Sequence, residues 1–277
     1  QMCIRDRGYT VGLTGAPGAG KSTLTSALIG HLRSLELELA VLAIDPSSPF
    51  TGGAILGDRV RMQDHATDPG VYIRSMATRG HLGGLSLATP EAVRLLDAIG
   101  RKWILVETVG VGQVEVEVAG KADSTVVVVN PGWGDSVQAN KAGLMEIADV
   151  FVINKADRKG VDETTRDLMQ MLDLSALPPD AWRPPIVPTV ATSGEGVAEL
   201  WDAVLAHRDF AHSTGDLDRR RAFRLQEELR EIIARRLGRR ARELCSGERW
   251  DELTEEVATR TTDPWSAADE MLAAVSA

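Results

Sequence analysis

The chain has 277 residues, enough for one large or two modest domains, and its 43% hydrophobic and 26% charged content is that of an ordinary globular protein. A net charge of −9 argues against nucleic acid as the main partner, because neutralising phosphates needs a basic surface. Cys3 and Cys245 make neither a disulfide framework nor a metal site, and the longest apolar run, residues 125–129, is far short of a membrane span, so a cytoplasmic protein without membrane association is expected.

Residues 1–8 carry no periodic pattern and read as an unstructured tail or remnant. Tyr9-Thr10-Val11-Gly12-Leu13-Thr14 reads as a short buried strand. The octet that follows, Gly15-Ala16-Pro17-Gly18-Ala19-Gly20-Lys21-Ser22, fills the pattern G-x-x-x-x-G-K-[ST] without a mismatch, and Thr23 continues into an amphipathic helix. Backbone N–H groups converge on a phosphate only where side chains do not obstruct them, which Gly15, Gly18 and Gly20 permit. Lys21 supplies a point charge for the β and γ phosphates, and the Ser22 hydroxyl is placed to ligate Mg²⁺.

Residues 39–44 form a continuous apolar strand that ends in Asp45. At a strand's carboxyl end this carboxylate either faces the nucleotide or serves as the hydrogen-bonding residue of a simple turn. Residues 51–84 are rich in glycine and polar residues and suit a switch segment, with Asp58 and Arg59 as candidate Mg²⁺ or phosphate contacts. His65 and His81 lack ligand spacing and are expected to be solvent-facing or locally bonded. A short strand at 71–74 and a helix capped by Thr89, with Pro90 at its first position, follow.

The next strand, residues 103–106, ends in Glu107-Thr108-Val109-Gly110. A carboxylate followed three residues later by glycine lets the acid reach Mg²⁺ through water while the glycine N–H meets the γ phosphate. Val111 and Gly112 separate Gln113 from Gly110, so slow intrinsic hydrolysis is expected. A strand at 124–130 leads into a loop at 131–136 and a helix carrying Gln138 and Lys141; Trp133 between two glycines is expected to be exposed and open to a protein contact.

Residues 150–153 lead into Asn154-Lys155-Ala156-Asp157, an N-K-x-D pattern. The Asp157 carboxylate can accept from both the ring N1–H and the exocyclic amine of guanine, whereas adenine offers an acceptor and no amine there, and Lys155 can lay its methylenes over the base. A last strand spans 186–191, and Ser193 lies in the loop expected to contact the guanine oxygen. The expected organisation is an α/β phosphate-binding-loop GTPase domain over 9–212, with a mostly parallel sheet flanked by helices, and a helical arm over 213–277. In that arm Phe223, Leu225, Leu229, Ile232, Ile233 and Leu237 belong to one apolar stripe, which two later helical segments and a second subunit could cover.

These motifs, with 43–50 (Ala-Ile-Asp-Pro-Ser-Ser-Pro-Phe), Gly57-Asp58-Arg59 and 106–113, resemble the methylmalonyl-CoA mutase-associated GTPases, older members of which were labelled arginine or ornithine transport kinases. The resemblance covers about residues 9–275 and implies a G-protein chaperone that guards or reloads an adenosylcobalamin-dependent acyl-CoA mutase, using GTP and Mg²⁺. It assigns Lys21 and Ser22 to phosphate and magnesium and Asp45, Asp58 and Glu107 to the metal's surroundings. It makes Gln138 and Lys141 an additional switch and the terminal helices a dimerisation arm. Family members usually have a helical segment ahead of the first strand, where this chain has eight unpatterned residues. Rival readings are a nickel-delivery GTPase, which would need clustered His or Cys, an ATP-dependent amino-acid kinase, which Asp157 disfavours, and a dimeric scaffold merely stabilised by nucleotide.

Overall fold

The computed structural model describes residues 8–45, 62–77, 88–108, 121–133, 143, 146–175, 178 and 180–273. Seven strands, β1 (Tyr9–Gly15), β2 (Leu39–Asp45), β3 (Val71–Ala77), β4 (Trp103–Thr108), β5 (Ser124–Val129), β6 (Val150–Asn154) and β7 (Ile186–Thr189), form one sheet in the order β3-β2-β4-β1-β5-β6-β7. All neighbouring pairs are parallel, so every strand's carboxyl end lies on the same edge. β1, β4, β5 and β6 are buried at every position, which is why they read as unbroken apolar runs rather than alternating ones.

The helices among the described residues are α1 (Lys21–Ser34), α2 (Ala88–Ala98), α3 (Val161–Leu174), α4 (Val197–Ser213), α5 (Asp216–Leu244), α6 (Glu248–Ala258) and α7 (Pro264–Ala273). Alternate strand residues feed separate cores. Val126 and Val128 join Leu24 and Leu28 of α1 and Trp201 and Val204 of α4, whereas Val127 and Val129 join Leu168 and Leu172 of α3. Leu96 of α2 packs with Leu42, Ile44 and Ile104. The sheet therefore carries helices on both faces. Trp103 and Trp201 meet edge to face at 4.5 Å, and Tyr9 meets Trp103 at 5.6 Å.

The amino edge of the sheet is closed by buried polar groups. Asp123 Oδ2 accepts from Thr10 N at 2.9 Å, and Asp149 Oδ2 accepts from Thr125 N at 2.7 Å, so each aspartate satisfies the second amide of the neighbouring strand. Ser124 Oγ lies 2.7 Å from the Tyr9 hydroxyl and 2.6 Å from His207 Nδ1, and His207 Nε2 lies 3.1 Å from Asp149 Oδ1. Arg220, in the first turns of α5, donates to the same oxygen at 3.0 Å and pairs with Asp216 at 2.6 Å. Burial opposes the Arg220 charge, but Asp149 and Asp216 outweigh it and raise its pKa; burial likewise pushes the Tyr9 phenol well above its ordinary value.

The chain divides into two compact units, Gln1–Arg220 and Arg221–Ala277. In the second, α6 and α7 pack together, Leu253 and Ala267 being the buried residue of each, and Arg249 of α6 reaches Glu270 of α7 through Nε at 2.8 Å. Asp263 Oδ1 accepts from Trp265 N and Ser266 N and caps α7, with Pro264 at its first position. Phe223, Leu225, Leu229, Ile232, Ile233 and Leu237 are 41–61% exposed, so the described residues of this chain do not cover the stripe. No described helix is long and apolar enough to cross a membrane.

Two expectations are corrected. Trp133 is 7% exposed and packs with Val127, Val129, Phe151 and Ile153, so it is a core residue and offers no protein contact. Helix α2 already includes Ala88, and the buried Thr89 hydroxyl has no hydrogen-bond partner among the described residues, so Thr89 does not cap it. His65 is half-buried and bonded across the fold, its Nε2 lying 3.2 Å from Ser26 Oγ on α1.

Candidate nucleotide-binding site

Strand β1 hands the chain directly to α1 through residues 15–20. Gly15 has φ +132, and a Cβ there would stand 2.0 Å from the carbonyl oxygen of Val128 on β5. Gly20, immediately before α1, has φ +89, and its Cβ would stand 2.5 Å from Asn154 Nδ2. Both positions exclude a side chain on conformation and on space. Pro17 and Gly18 are exposed, while Lys21 and Ser22 are 7% and 5% exposed. Lys21 Nζ donates to Gly15 O at 2.6 Å and to Ala16 O at 3.1 Å, which holds the ammonium within the loop. Thr23 is exposed on the first turn of α1.

β6 brings the N-K-x-D residues to the same edge. Asn154, 2% exposed, donates from Nδ2 to Ala19 O at 2.8 Å, and Lys155 Nζ donates to Gly18 O at 2.7 Å. Lys155 takes φ +60, a conformation uncommon for a residue with a side chain, and Asp157 beyond it is exposed. Ser193 is exposed in the turn after β7, its N–H donating to Val190 O at 3.0 Å. The phosphate loop, the N-K-x-D segment and the 190–194 turn thus meet at one place.

Glu107 is 1% exposed at the end of β4, in register with Leu13 of β1 and Ala43 of β2. Asp45 ends β2 in register with Ala77, and its side chain lies outside the described residues. Asp58, Arg59, His81, Gly110, Gln113, Gln138 and Lys141 also lie outside them. A hydroxyl at Ser22 and a carboxylate at Glu107 are hard oxygen donors of the kind Mg²⁺ takes, so the donor chemistry fits that ion.

One residue of this assembly escapes a reading of the motifs. Thr189, fully buried at the end of β7, donates from Oγ1 to Asn154 Oδ1 at 3.2 Å and accepts from Ala156 N through its carbonyl at 2.9 Å. Its only sequence signal is a hydroxyl residue three positions before Thr192-Ser193, inside what the pattern reads as strand.

Comparison with known proteins agrees with this geometry. The family profile described as methylmalonyl Co-A mutase-associated GTPase MeaB matches residues 3–245. A protein of Pyrococcus abyssi that carries a provisional GTPase name is 52% identical over 269 residues, 95% of this chain and 82% of its own length. The GTPase ArgK of Escherichia coli is 41% identical over 226 residues, covering 80% of this chain and 68% of that protein. Among solved structures, that of an LAO/AO transport system kinase superposes with a TM-score of 0.69 at 26% identity, covering all of this chain and 84% of the other.

Proposed function

The chain belongs to the methylmalonyl Co-A mutase-associated GTPase family, and from that premise we propose that it is a G-protein chaperone for an adenosylcobalamin-dependent acyl-CoA mutase. Its enzymatic activity is GTP hydrolysis to GDP and phosphate. The observation that supports the reading most directly is the interlock of the two motifs: Asn154 and Lys155 both donate to carbonyls of residues 18–19, so a base held by one motif and phosphates held by the other would share one rigid frame.

Catalysis in this reading is positioning plus electrostatics. Lys21 would exchange its bonds to Gly15 O and Ala16 O for the β and γ phosphates and neutralise charge that develops on the transferred group. Backbone N–H groups of residues 15–22 would bind the remaining phosphate oxygens, helped by the positive end of α1. Magnesium, held by Ser22 with Asp45, Asp58 and Glu107 around it, would supply further charge neutralisation. Asp157 would select guanine and Ser193 would meet its oxygen, while Gly110, outside the described residues, would serve the γ phosphate. Gln138 and Lys141 would couple the nucleotide state to the client.

Two copies of the chain would pair through the exposed stripe of α5, whose six large apolar side chains need cover. The test is hydrolysis of GTP and ATP by the purified protein, with and without an adenosylcobalamin-dependent acyl-CoA mutase. GTP-selective turnover that rises with the mutase is expected. Turnover unchanged by the mutase would remove the chaperone reading and leave the GTPase.

A further inference from the structure

Asn154 is poised by groups outside its own motif. Two donors, Thr189 Oγ1 and Ala191 N, converge on Asn154 Oδ1 at 3.2 Å each. Since the Ala191 N–H can only donate, the atom it meets is the amide oxygen, the Thr189 hydroxyl beside it donates to the same atom, and the NH₂ end is left facing Ala19 O. Thr189 also accepts from Ala156 N, so the residues on either side of Lys155 are tied to one threonine. Lys155 between them keeps its left-handed backbone, a conformation that persists only where neighbours over-determine it.

We propose that Thr189 is a positioning residue for guanine-nucleotide binding, acting through Asn154 to brace the N-K-x-D segment against the phosphate loop. Thr189 is 0% exposed, so it meets no ligand itself. Its hydroxyl is one of the two donors, with Ala191 N, that hold the buried Asn154 oxygen against rotation, and such a rotation would turn that oxygen toward the Ala19 carbonyl, acceptor against acceptor. The inference rests on the reading of residues 15–22 and 154–157 as a guanine-nucleotide site.

The test is the dissociation rate of a fluorescent GDP analogue, with melting temperature alongside, for the full chain and its variants. Thr189→Val keeps the shape and removes the hydroxyl, and release about fivefold faster is expected, the effect of one neutral hydrogen bond. Thr189→Ser keeps the hydroxyl and loses a methyl; it should melt lower yet release GDP at the wild-type rate. In an Asn154→Ala background, Thr189→Val should add nothing, because the group it positions is gone. With GTP, KM should rise in Thr189→Val while kcat at saturation is kept. A wild-type release rate in Thr189→Val, faster release in Thr189→Ser, or full additivity with Asn154→Ala would each overturn the inference. If wild-type protein binds no guanine nucleotide, both the site reading and this inference fall; if it binds and only the variants disagree, the inference falls alone.

Discussion

Asn154 Nδ2 donates to the carbonyl oxygen of Ala19 at 2.8 Å, across 135 residues of chain, and reaches it over a glycine that has no Cβ to spare. The end of β6 and the turn into α1 are therefore tied together, and Lys155 Nζ adds a second link to Gly18 O at 2.7 Å. Gly20→Ala would put a methyl group 2.5 Å from that amide nitrogen and force an alanine to φ +89. Either Asn154 moves or the loop does. Nucleotide affinity weaker by about tenfold or more is expected, since left-handed backbone alone costs about 1 kcal/mol or more for a residue with a Cβ. Equilibrium titration with a fluorescent GDP analogue checks it.

Lys21→Ala removes the charge that would meet the β and γ phosphates. GTP turnover should fall by about a hundredfold or more, as for other preorganised electrostatic groups, with little change in melting temperature. Undiminished turnover would take the loop out of the mechanism. Asp157→Ala should instead leave turnover at saturation intact and erase the preference for GTP over ATP in competition binding, because the exposed Asp157 is the group expected to read the base edge.

Asp149 holds the amino edge of the sheet together. It accepts from Thr125 N and Arg220 and lies against His207. Asp149→Ala strips partners from an amide and an imidazole that are both buried, and a loss of about 3 kcal/mol in unfolding free energy is expected. Urea denaturation measures it; an unchanged midpoint would mean that the network is energetically neutral. GTP binding by the folded fraction should persist, since the strand ends concerned are the ones opposite the phosphate loop.

Asp68 should give acid sensitivity of one sign. Arg33 Nε, donating at 2.7 Å, and then the Gly70 N–H hold its carboxyl below the usual carboxylate range. A depressed folded pKa means that the contribution is fully present above the ordinary value of about 3.9 and is lost as the pH falls through the lower folded value. Asp68→Asn should therefore melt below wild type at neutral pH, and the gap should narrow as the pH is lowered toward about 3. A gap that widened in acid would contradict the pairing.

The stripe on α5 predicts self-association. Ile233 is 48% exposed and Leu229 58% exposed, four residues apart on one helix. Ile233→Glu should convert a dimer into a monomer in sedimentation velocity while leaving GTP affinity unchanged. A wild-type chain that sediments as a monomer at micromolar concentration would remove the arm's assigned role.

The strands and the phosphate loop were legible from residues alone, because parallel strands buried on both faces must be apolar throughout and because N–H groups can converge only where glycines stand. The helix-to-strand order and the N-K-x-D tetrapeptide are local patterns of the same kind. Trp133 shows the other side. Between glycines it reads as exposed, yet α3 and the β5–β6 face enclose it, and no local pattern carries packing against residues 18 to 39 positions away. Thr189 was invisible for a similar reason: a hydroxyl says only that it needs a partner. Whether that partner is water, a neighbouring turn or the amide of Asn154 depends on which strand lies beside β6. That pairing is a long-range event, decided when the whole sheet buries its apolar faces, and it was the tertiary structure that put Thr189 Oγ1 3.2 Å from Asn154, whose amide in turn meets the phosphate loop at Ala19 O.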